Sequence, residues 1–470
     1  MSEMQENAGY LWDYYRINNL SIDTIPKYQI ILVGSNPLPA YVAVHLLQPA
    51  EVAVLIGSKG QSYQIAQRIQ EVVKEEGIKT KVCTLELVAA DSYLKIDELM
   101  KQLGKDIDLK EAGINYTGGT KMMAVHFYRK LYESGSLKKY PYYATYVSPE
   151  NKLLFDGNDT SINLLGKTNL SVENILKIHN IKFLDQKKFE NMLVSESDIN
   201  FSRVVYADVK RIYYQIKKES DKSSFNYQEL IHEIVFPYER SMDSDKSEDN
   251  FNRIHEILQT EISPLWVELL KFIREKDNSL DVVRVEDLAN LYLESRGNPK
   301  GYFDKLSKNK LKPFKKFYDW WTAKWQEYYV YDILNDSDAI KRIGINEVNG
   351  QPQSLNSVEA IYDGDESANP FELDHVFIRS HIPYFVSCTT DGSNDLVKNK
   401  LFEVQSRSRI IGGDHAKFAL ISFISESYKK NLEVTLKRRW AGYENYLVLG
   451  VDDFFDDQFA SKLIQWTINS

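Results

Sequence analysis

The stretch GINYTGGTKMMAVHFYRKLYES, residues 113–134, decides the fold of the N-terminal part of this chain. It reads as a short apolar strand, a turn with two adjacent glycines, and a helix with apolar side chains at helical spacing. Three units of the same kind precede it, beginning at Tyr28, Glu51 and Thr80, and a further apolar segment follows it. Strands that alternate with helices predict βαβ units and a mostly parallel sheet.

The 470 residues are too many for one ordinary domain, for which roughly 100–200 residues are typical. We expect an α/β chain in three parts. Residues 1–150 form the first domain, because the strand–helix pattern ends near Ser148. Residues 151–312 carry helix-like stretches that predict a helical linker or middle domain. Residues 313–470 read as a helix, three strands, a second helix and further strands, which predicts a mixed α/β core.

The composition is that of a globular chain, with 43% hydrophobic and 27% charged residues, 22 Gly and 13 Pro. It excludes collagen-like, low-complexity and wholly disordered classes. No apolar run approaches the ~20 residues of a membrane helix, so we expect no membrane partner. Cys83 and Cys388 lie too far apart for a disulfide framework or a cysteine zinc site. The first residues include acids where a signal peptide is basic, so we expect a cytoplasmic protein.

The net charge of −9 does not fit a globally basic nucleic-acid binder. The stretch Lys300–Lys324 is nevertheless rich in lysine interleaved with Tyr, Phe and Trp, and it has few acids. Such a mixture suits phosphate contacts and base stacking. A solvated helix face above aromatic core residues would give the same pattern, and the sequence leaves both interpretations open.

Three loops follow predicted strands at their carboxyl ends, where ligands bind in sheets of this kind. Residues 115–121, NYTGGTK, are the most informative, because paired glycines let the main chain approach a ligand and the next helix offers free N–H groups to an anion. The spacing matches neither a dinucleotide fingerprint nor a Walker loop. It predicts an anionic ligand, and a tight turn that needs glycine is the alternative. The candidate binding residues are Ser35, Asn36, Ser58, Thr117, Gly118, Gly119, Thr120 and Lys121.

NYTGGTKMM after the fourth strand, together with GSNPLP after the first, resembles a CARF domain, the CRISPR-associated Rossmann-like sensor. The likeness covers roughly residues 25–150, and the glycine-threonine-lysine loop is its specific part. It implies a Rossmann-like fold and a homodimer that binds a cyclic oligoadenylate ring across its two-fold axis, with tetra-adenylate favoured. Two copies of a helix N-terminus and a lysine suit a symmetric ring of phosphates.

The candidate catalytic residues in the last third of the chain are carboxylates. In ELDHV, Glu372 and Asp374 alternate by two and therefore share one face of a strand. Glu327, on the preceding helix, could join them. Such oxygen ligands suit Mg²⁺ or Mn²⁺, which can activate water and neutralise charge in phosphodiester hydrolysis. By spacing alone, a solvated face of an edge strand is the alternative.

Roughly residues 315–425 resemble the restriction-endonuclease-like, PD-(D/E)xK domain of CARF-linked CRISPR ancillary nucleases. The likeness rests on Trp and Glu in one helix, the carboxylate strand, a hairpin, Ser-Cys in the third strand, and two glycines ahead of an alanine–lysine strand start. It implies that Asp374 is the indispensable metal ligand, that Glu327 is a second ligand, and that Ser387 lies at the strand end of the metal site.

Thr389 departs from this family pattern, because a lysine usually follows Ser-Cys. That lysine orients the attacking water and offsets charge in the transition state, which a threonine cannot do. Either Lys398 or Lys400 of the next predicted helix substitutes for it, or catalysis is weak or lost. We favour Lys398, because it is closer to the start of the helix, and two solvated lysines are the alternative.

Together these features predict a cyclic oligoadenylate-activated, divalent-metal-dependent nuclease of type III CRISPR antiviral defence that cleaves RNA, DNA or both. The alternative is a CARF sensor whose nuclease-like domain binds nucleic acid or a partner without efficient cleavage, as Thr389 permits. A Rossmann-type metabolic enzyme is a third class, and the missing dinucleotide fingerprint speaks against it.

The first prediction concerns stoichiometry. A ring with internal two-fold symmetry fits an isologous dimer, so we expect a dimer that binds one ring per two chains. Light scattering and calorimetry measure both quantities. One ring per monomer would contradict the symmetric site.

Overall fold

The computed structural model describes residues 25–49, 51–156, 160–184, 194, 196–219, 323–364, 369–413, 416–439 and 445–469. Most of the predicted helical middle region lies outside the described residues, and so does nearly all of the stretch Lys300–Lys324. Both expectations therefore stay predictions.

Seven strands form the N-terminal sheet: β1 Tyr28–Val33, β2 Val52–Ser58, β3 Lys81–Leu87, β4 Ala112–Asn115, β5 Ala144–Ser148, β6 Lys152–Phe155 and β7 Thr160–Asn163. Their order is β3-β2-β1-β4-β5-β6-β7. Strands β1 to β5 pair in parallel, which confirms the predicted fold class. The predicted domain end at residue 150 falls between β5 and β6, and the sheet continues past it because β6 pairs with the edge of β5.

Helices connect the parallel strands and cover their apolar side chains. The core contains Ile30 and Leu32 of β1 together with Met123 and Phe127, which project from the helix after β4, and all four are buried. The alternation of these apolar positions places one face of each element in the core. The helices of this part are α1 Leu38–Leu46, α2 Gln61–Glu75, α3 Tyr93–Asp106, α4 Lys121–Ser134, α5 Ser136–Lys139 and α6 Val172–Ile178.

A second sheet has the order β15-β14-β13-β12-β11-β8, and a short hairpin, β9–β10, lies outside it. The three strands predicted from SVEAIY, FELDHVFIRS and IPYFVSCTT are confirmed as β11, β12 and β13. Strands β11 and β12 are antiparallel, with Val358 opposite Leu373 and Glu359 opposite Glu372. The bounds are β8 Ile181–Phe183, β9 Glu347–Val348, β10 Gln351–Pro352, β11 Ser354–Tyr362, β12 Phe371–Arg379, β13 Ile382–Thr389, β14 Lys417–Ser422 and β15 Tyr446–Leu449.

The remaining described helices are α7 Glu196–Glu219, α8 Trp325–Asn335, α9 Ser337–Ile343, α10 Asn394–Gly412, α11 Glu426–Arg439, α12 Val451–Phe454 and α13 Phe459–Asn469. Aromatic rings hold several of them together. Trp325 of α8 lies 6.0 Å from Phe454 of α12, and Tyr206 of α7 stacks on Tyr329 of α8 at 3.9 Å between ring centroids. These contacts bury one side of α8, whose buried residues include Trp325, Val330 and Leu334.

The chain divides into two compact units. The first comprises Met1–Gln186, Ile340–Phe385 and Gln405–Phe418, and the second comprises Lys187–Ala339, Val386–Val404 and Ala419–Ser470. Segments of residues 313–470 belong to each unit, and the three-part domain division expected from the sequence stays a prediction.

A half-buried carboxylate joins three helices of the first unit. Glu76, which follows α2, accepts hydrogen bonds from the Tyr41 hydroxyl of α1 and from Asn174 Nδ2 of α6 at 2.7 Å. His45 Nε2 lies 3.0 Å from the second carboxylate oxygen. Burial by itself raises the pKa of Glu76, but the hydrogen bonds from His45, Tyr41 and Asn174 outweigh it and hold the pKa below its ordinary value.

The second prediction is that Glu76 contributes to stability in a pH-dependent way. Because its folded pKa is lowered, this contribution is present above the unfolded value of 4.5 and is lost as the pH falls through the folded value. Glu76→Ala leaves buried partners unpaired and should lower the free energy of unfolding by about 1–3 kcal/mol at pH 7. Chemical denaturation at pH 7 and pH 4 measures both effects.

The exposed neighbour Glu75 provides the control for this experiment. Glu75→Ala should change the free energy of unfolding little, because an exposed ion pair contributes little. If Glu76→Ala and Glu75→Ala behave alike at both pH values, the hydrogen bonds of Glu76 do not contribute to stability in the expected way.

Candidate functional site

Two of the three predicted ligand loops of the first sheet lie against each other. Strand β1 pairs with β2 on one side and with β4 on the other. Strands β2 and β3 therefore extend the sheet from one side of β1, and β4 and β5 extend it from the other side. A Cβ built on Gly34, after β1, would lie only 3.1 Å from the main-chain N of Gly119, after β4. This arrangement places both loops at the topological switch point, where open α/β sheets bind their ligands.

Both glycines of the NYTGGTK loop are required by the main chain. A Cβ on Gly118 would overlap the carbonyl oxygen of Leu32, and Gly119 has a positive φ of 75°. A side chain at either position would push the loop off β1 or strain it. The tight-turn interpretation of these glycines is therefore correct, and it is compatible with a ligand role because the same turn exposes the start of α4.

The two threonine hydroxyls of this loop have partners within the chain. Thr120 is the N-cap of α4, where its hydroxyl accepts from Met123 N at 3.2 Å and donates to the Ala90 carbonyl at 3.4 Å. Thr117 Oγ1 accepts from Val147 N at 2.7 Å. Their first role is thus to shape the loop, whereas the sequence suggested hydroxyls available to a ligand.

Lys121 begins α4 and is exposed, so its amine is accessible to an anion at the helix N-terminus. Ser35 is exposed after β1, and Ser58 is half-buried at the end of β2, the neighbouring strand. The structure therefore brings the candidate residues of three strand ends to one edge of the sheet.

Sequence reasoning missed Asn115, the last residue of β4. Its side chain is fully buried, donates from Nδ2 to Thr145 Oγ1 at 3.1 Å and accepts from Thr117 N at 3.3 Å. It fixes the beginning of the loop to β5. A buried asparagine between an apolar strand and a glycine turn was the available signal, since asparagine at strand ends often hydrogen-bonds the main chain two residues on.

Asn36 has a contact that the sequence did not predict. Its Oδ1 accepts from Leu38 N at 3.0 Å, at the start of α1. Its Nδ2 lies so close to Gly413, just past the end of α10, that a Cβ on Gly413 would overlap it. The neighbouring Gly412 is equally tight, because a Cβ there would lie 2.6 Å from Pro383 Cγ. The predicted glycine pair thus permits close packing in the first unit.

The predicted carboxylates Glu372 and Asp374 both lie on β12 in the first unit. Asp374 is 6% exposed, and Glu372 is half-buried. The next residue, His375, is buried beside Ser354 Oγ at 3.3 Å, and burial lowers its pKa to about 3. His375 is therefore neutral at physiological pH and belongs to the core. Among the residues that the structure describes, no three His, Cys, Asp or Glu side chains group together as a metal site.

The other predicted residues of the nuclease centre lie in the second unit. Glu327 of α8 is buried and forms an ion pair with Lys324 Nζ at 2.9 Å. Ser387 and Thr389 of β13 are also buried, and Thr389 Oγ1 accepts from Asp391 N at 3.2 Å. The hydroxyl that stands in place of a lysine thus shapes the turn after β13.

Helix α10 follows this turn. The predicted apolar stripe is confirmed, because Val397, Leu401 and Val404 are all buried. Lys398 is exposed and Lys400 is half-buried. Their relation to the carboxylates stays a prediction.

Comparison with known proteins identifies the N-terminal part. Residues 29–175 match the family model of the Card1 CARF domain. This part of the chain is a CARF domain. The match begins in β1 and ends in α6, so it includes all three predicted ligand loops and the β6–β7 hairpin.

Two solved structures share the fold well beyond the CARF domain. Can2 from Sulfobacillus thermosulfidooxidans, solved in complex with cyclic tetra-adenylate, is 15% identical with a TM-score of 0.51, over 95% of this chain and 98% of its own. Protein VC1899 from Vibrio cholerae is 14% identical with a TM-score of 0.57, over 94% and 97%. At such identities the likeness concerns the fold alone.

A type III CRISPR defence DNA nuclease activated by cyclic oligoadenylate is 15% identical, with a TM-score of 0.42, over 84% of this chain and 45% of its own. That score is too low to support an argument. Among curated protein sequences, none matches this chain significantly. Within the described residues, no helix has both the length and the apolar character that crossing a membrane requires.

The third prediction concerns the CARF loop. Lys121→Ala should weaken binding of a cyclic oligoadenylate about tenfold, because it removes a charged donor at the helix N-terminus. Lys110→Ala is the matched control, since Lys110 is exposed and precedes β4 at the opposite end of that strand. Calorimetry measures both affinities. Equal ring binding by the two folded variants would exclude this loop as the site.

Proposed function

We propose that this protein is a cytoplasmic nuclease of type III CRISPR antiviral defence, activated by a cyclic oligoadenylate and dependent on Mg²⁺ or Mn²⁺. The observation that carries the proposal is the junction of the Gly34 turn with the Gly118–Gly119 turn at the start of α4, within a CARF domain. This junction places main-chain N–H groups and Lys121 at the carboxyl ends of β1 and β4, which suits a phosphate-bearing ligand.

The ring we favour is cyclic tetra-adenylate. Can2, which has the same fold, was solved with this ligand, and a ring with two-fold internal symmetry suits two copies of the Lys121 loop. We therefore also propose a homodimer with one ring between the two CARF domains.

The nuclease part of the proposal rests on the carboxylates of β12. Glu372 and Asp374 are separated by one residue in a strand and so project to the same side. Mg²⁺ keeps several waters and needs only one or two carboxylates, so this pair fits the ion. A bound metal would activate water and offset charge on the scissile phosphate. Asp374 is buried, so protein atoms rather than bulk water surround its carboxylate.

Glu327 is the metal ligand that the family resemblance implies beside Asp374, and Glu372 would add a further carboxylate. The Glu327 carboxylate already pairs with Lys324, so this ion pair would have to exchange the ammonium group for the metal. We propose that Ser387 and Lys398 contribute to the same centre, and that Lys398 or Lys400 supplies the charge that Thr389 lacks.

One observation favours a second candidate function, a CARF sensor that binds nucleic acid or a partner without efficient cleavage. Thr389 is buried and its hydroxyl is bound to the turn after β13, so this position offers no cation to a reacting phosphate. The two functions differ in whether ring-bound protein cuts nucleic acid.

The test is incubation of the full chain with cyclic tri-, tetra- or hexa-adenylate and Mn²⁺, using labelled single-stranded RNA, single-stranded DNA and a plasmid. Cleavage that needs both the ring and the metal supports the nuclease. Binding of the ring and of nucleic acid without cleavage supports the second function.

The fourth prediction concerns Asp374. Asp374→Asn should reduce cleavage by about 100-fold or more, because a metal supplies several kcal/mol of transition-state stabilisation, and it should leave ring binding unchanged. Glu347→Gln, at an exposed position of β9, is the matched control for loss of one carboxylate. Full activity of Asp374→Asn would place the active site elsewhere.

A further inference from the structure

Arg407, on the second half of α10, contacts the strand that carries the carboxylates. Its Nη1 donates to the main-chain oxygen of Glu372, and its guanidinium carbon lies 4.9 Å from the ring centroid of Phe371. Arg407, Glu372 and Asp374 all belong to the first unit. The guanidinium therefore contacts two consecutive residues of β12, and Asp374 follows two positions later.

We propose that Arg407 is a positioning residue for the metal-binding carboxylates of β12. This inference rests on the proposed nuclease function. A planar guanidinium that stacks on one residue and donates to the next restricts the strand in two directions, which a flexible lysine ammonium cannot match.

The surroundings of Arg407 give this contact a second consequence. Gly413, six residues further along, lies against Asn36 in the first CARF loop. The intervening stretch of helix is only about 9 Å long. The second half of α10 and the residue after it therefore contact the carboxylate strand and a candidate ring-binding loop within one unit.

The test compares Arg407→Gln and Arg407→Lys with Arg409→Gln, a matched loss of charge at an exposed position of the same helix. Mn²⁺ affinity, measured by electron paramagnetic resonance without substrate, should fall about tenfold in Arg407→Gln and remain unchanged in Arg409→Gln. Arg407→Lys should lie between the two. The turnover rate should fall in the same order, while the KM for nucleic acid stays constant, and thermal unfolding identifies any variant that fails to fold.

The outcomes separate the two levels of the proposal. If wild-type protein and Arg407→Gln bind Mn²⁺ equally and turn over equally, the role of Arg407 is overturned and the nuclease proposal stands. If wild-type protein binds no Mn²⁺, the proposed function itself fails, and the role of Arg407 falls with it. If Arg407→Gln does not fold, a Mn²⁺ affinity of Arg407→Lys equal to that of wild-type protein overturns the inference.

Discussion

The main chain at Gly34 and the main chain at Gly118 and Gly119 lie against each other where β1 and β4 end. Three residues without side chains make this approach possible, and no other residue type fits at Gly118 without moving β1. The contact fixes the distance between two loops, the direction in which α4 leaves the sheet, and hence the placement of Lys121. What the CARF domain can offer an anion depends on this packing of backbone on backbone.

The sequence was sufficient to predict the parallel sheet, because strand–helix alternation and turn glycines are local signals. The β6–β7 hairpin is an example of a feature that local signals predict only in part. Its two strands could be recognised from NKLLFDGNDTSINLL, but their attachment to β5 depends on which sheet edge is open in the folded molecule. Thr120 illustrates a local signal that could have been read further, because a threonine directly before a helix is a typical N-cap. The hydrogen bond between Thr117 and Val147 joins residues 30 positions apart, so no local sequence pattern could predict it.

In the C-terminal part, too, some features could be predicted from the sequence and others could not. The strands, the helix α10 and its buried stripe followed from periodicity. The ion pair of Lys324 and Glu327, three residues apart on a helix, was also accessible to sequence reasoning. The contact of Arg407 with Glu372 was not, since it joins an arginine to a main-chain oxygen 35 residues away. Main-chain acceptors carry no residue identity, so no motif could have indicated this partner.

The contact between Gly413 and Asn36 also limits how this chain can diverge. A Cβ at Gly413 would require the Asn36 side chain to move, although 377 positions separate the two residues, and the positive φ of 68° at Gly413 favours glycine there as well. Among related chains, a side chain at the position of Gly413 should accompany a smaller residue at that of Asn36, and an unchanged asparagine should accompany glycine. Evolution would then record the contact as paired substitutions between the first loop of the sensor and the end of a helix in the distant C-terminal part of the sequence.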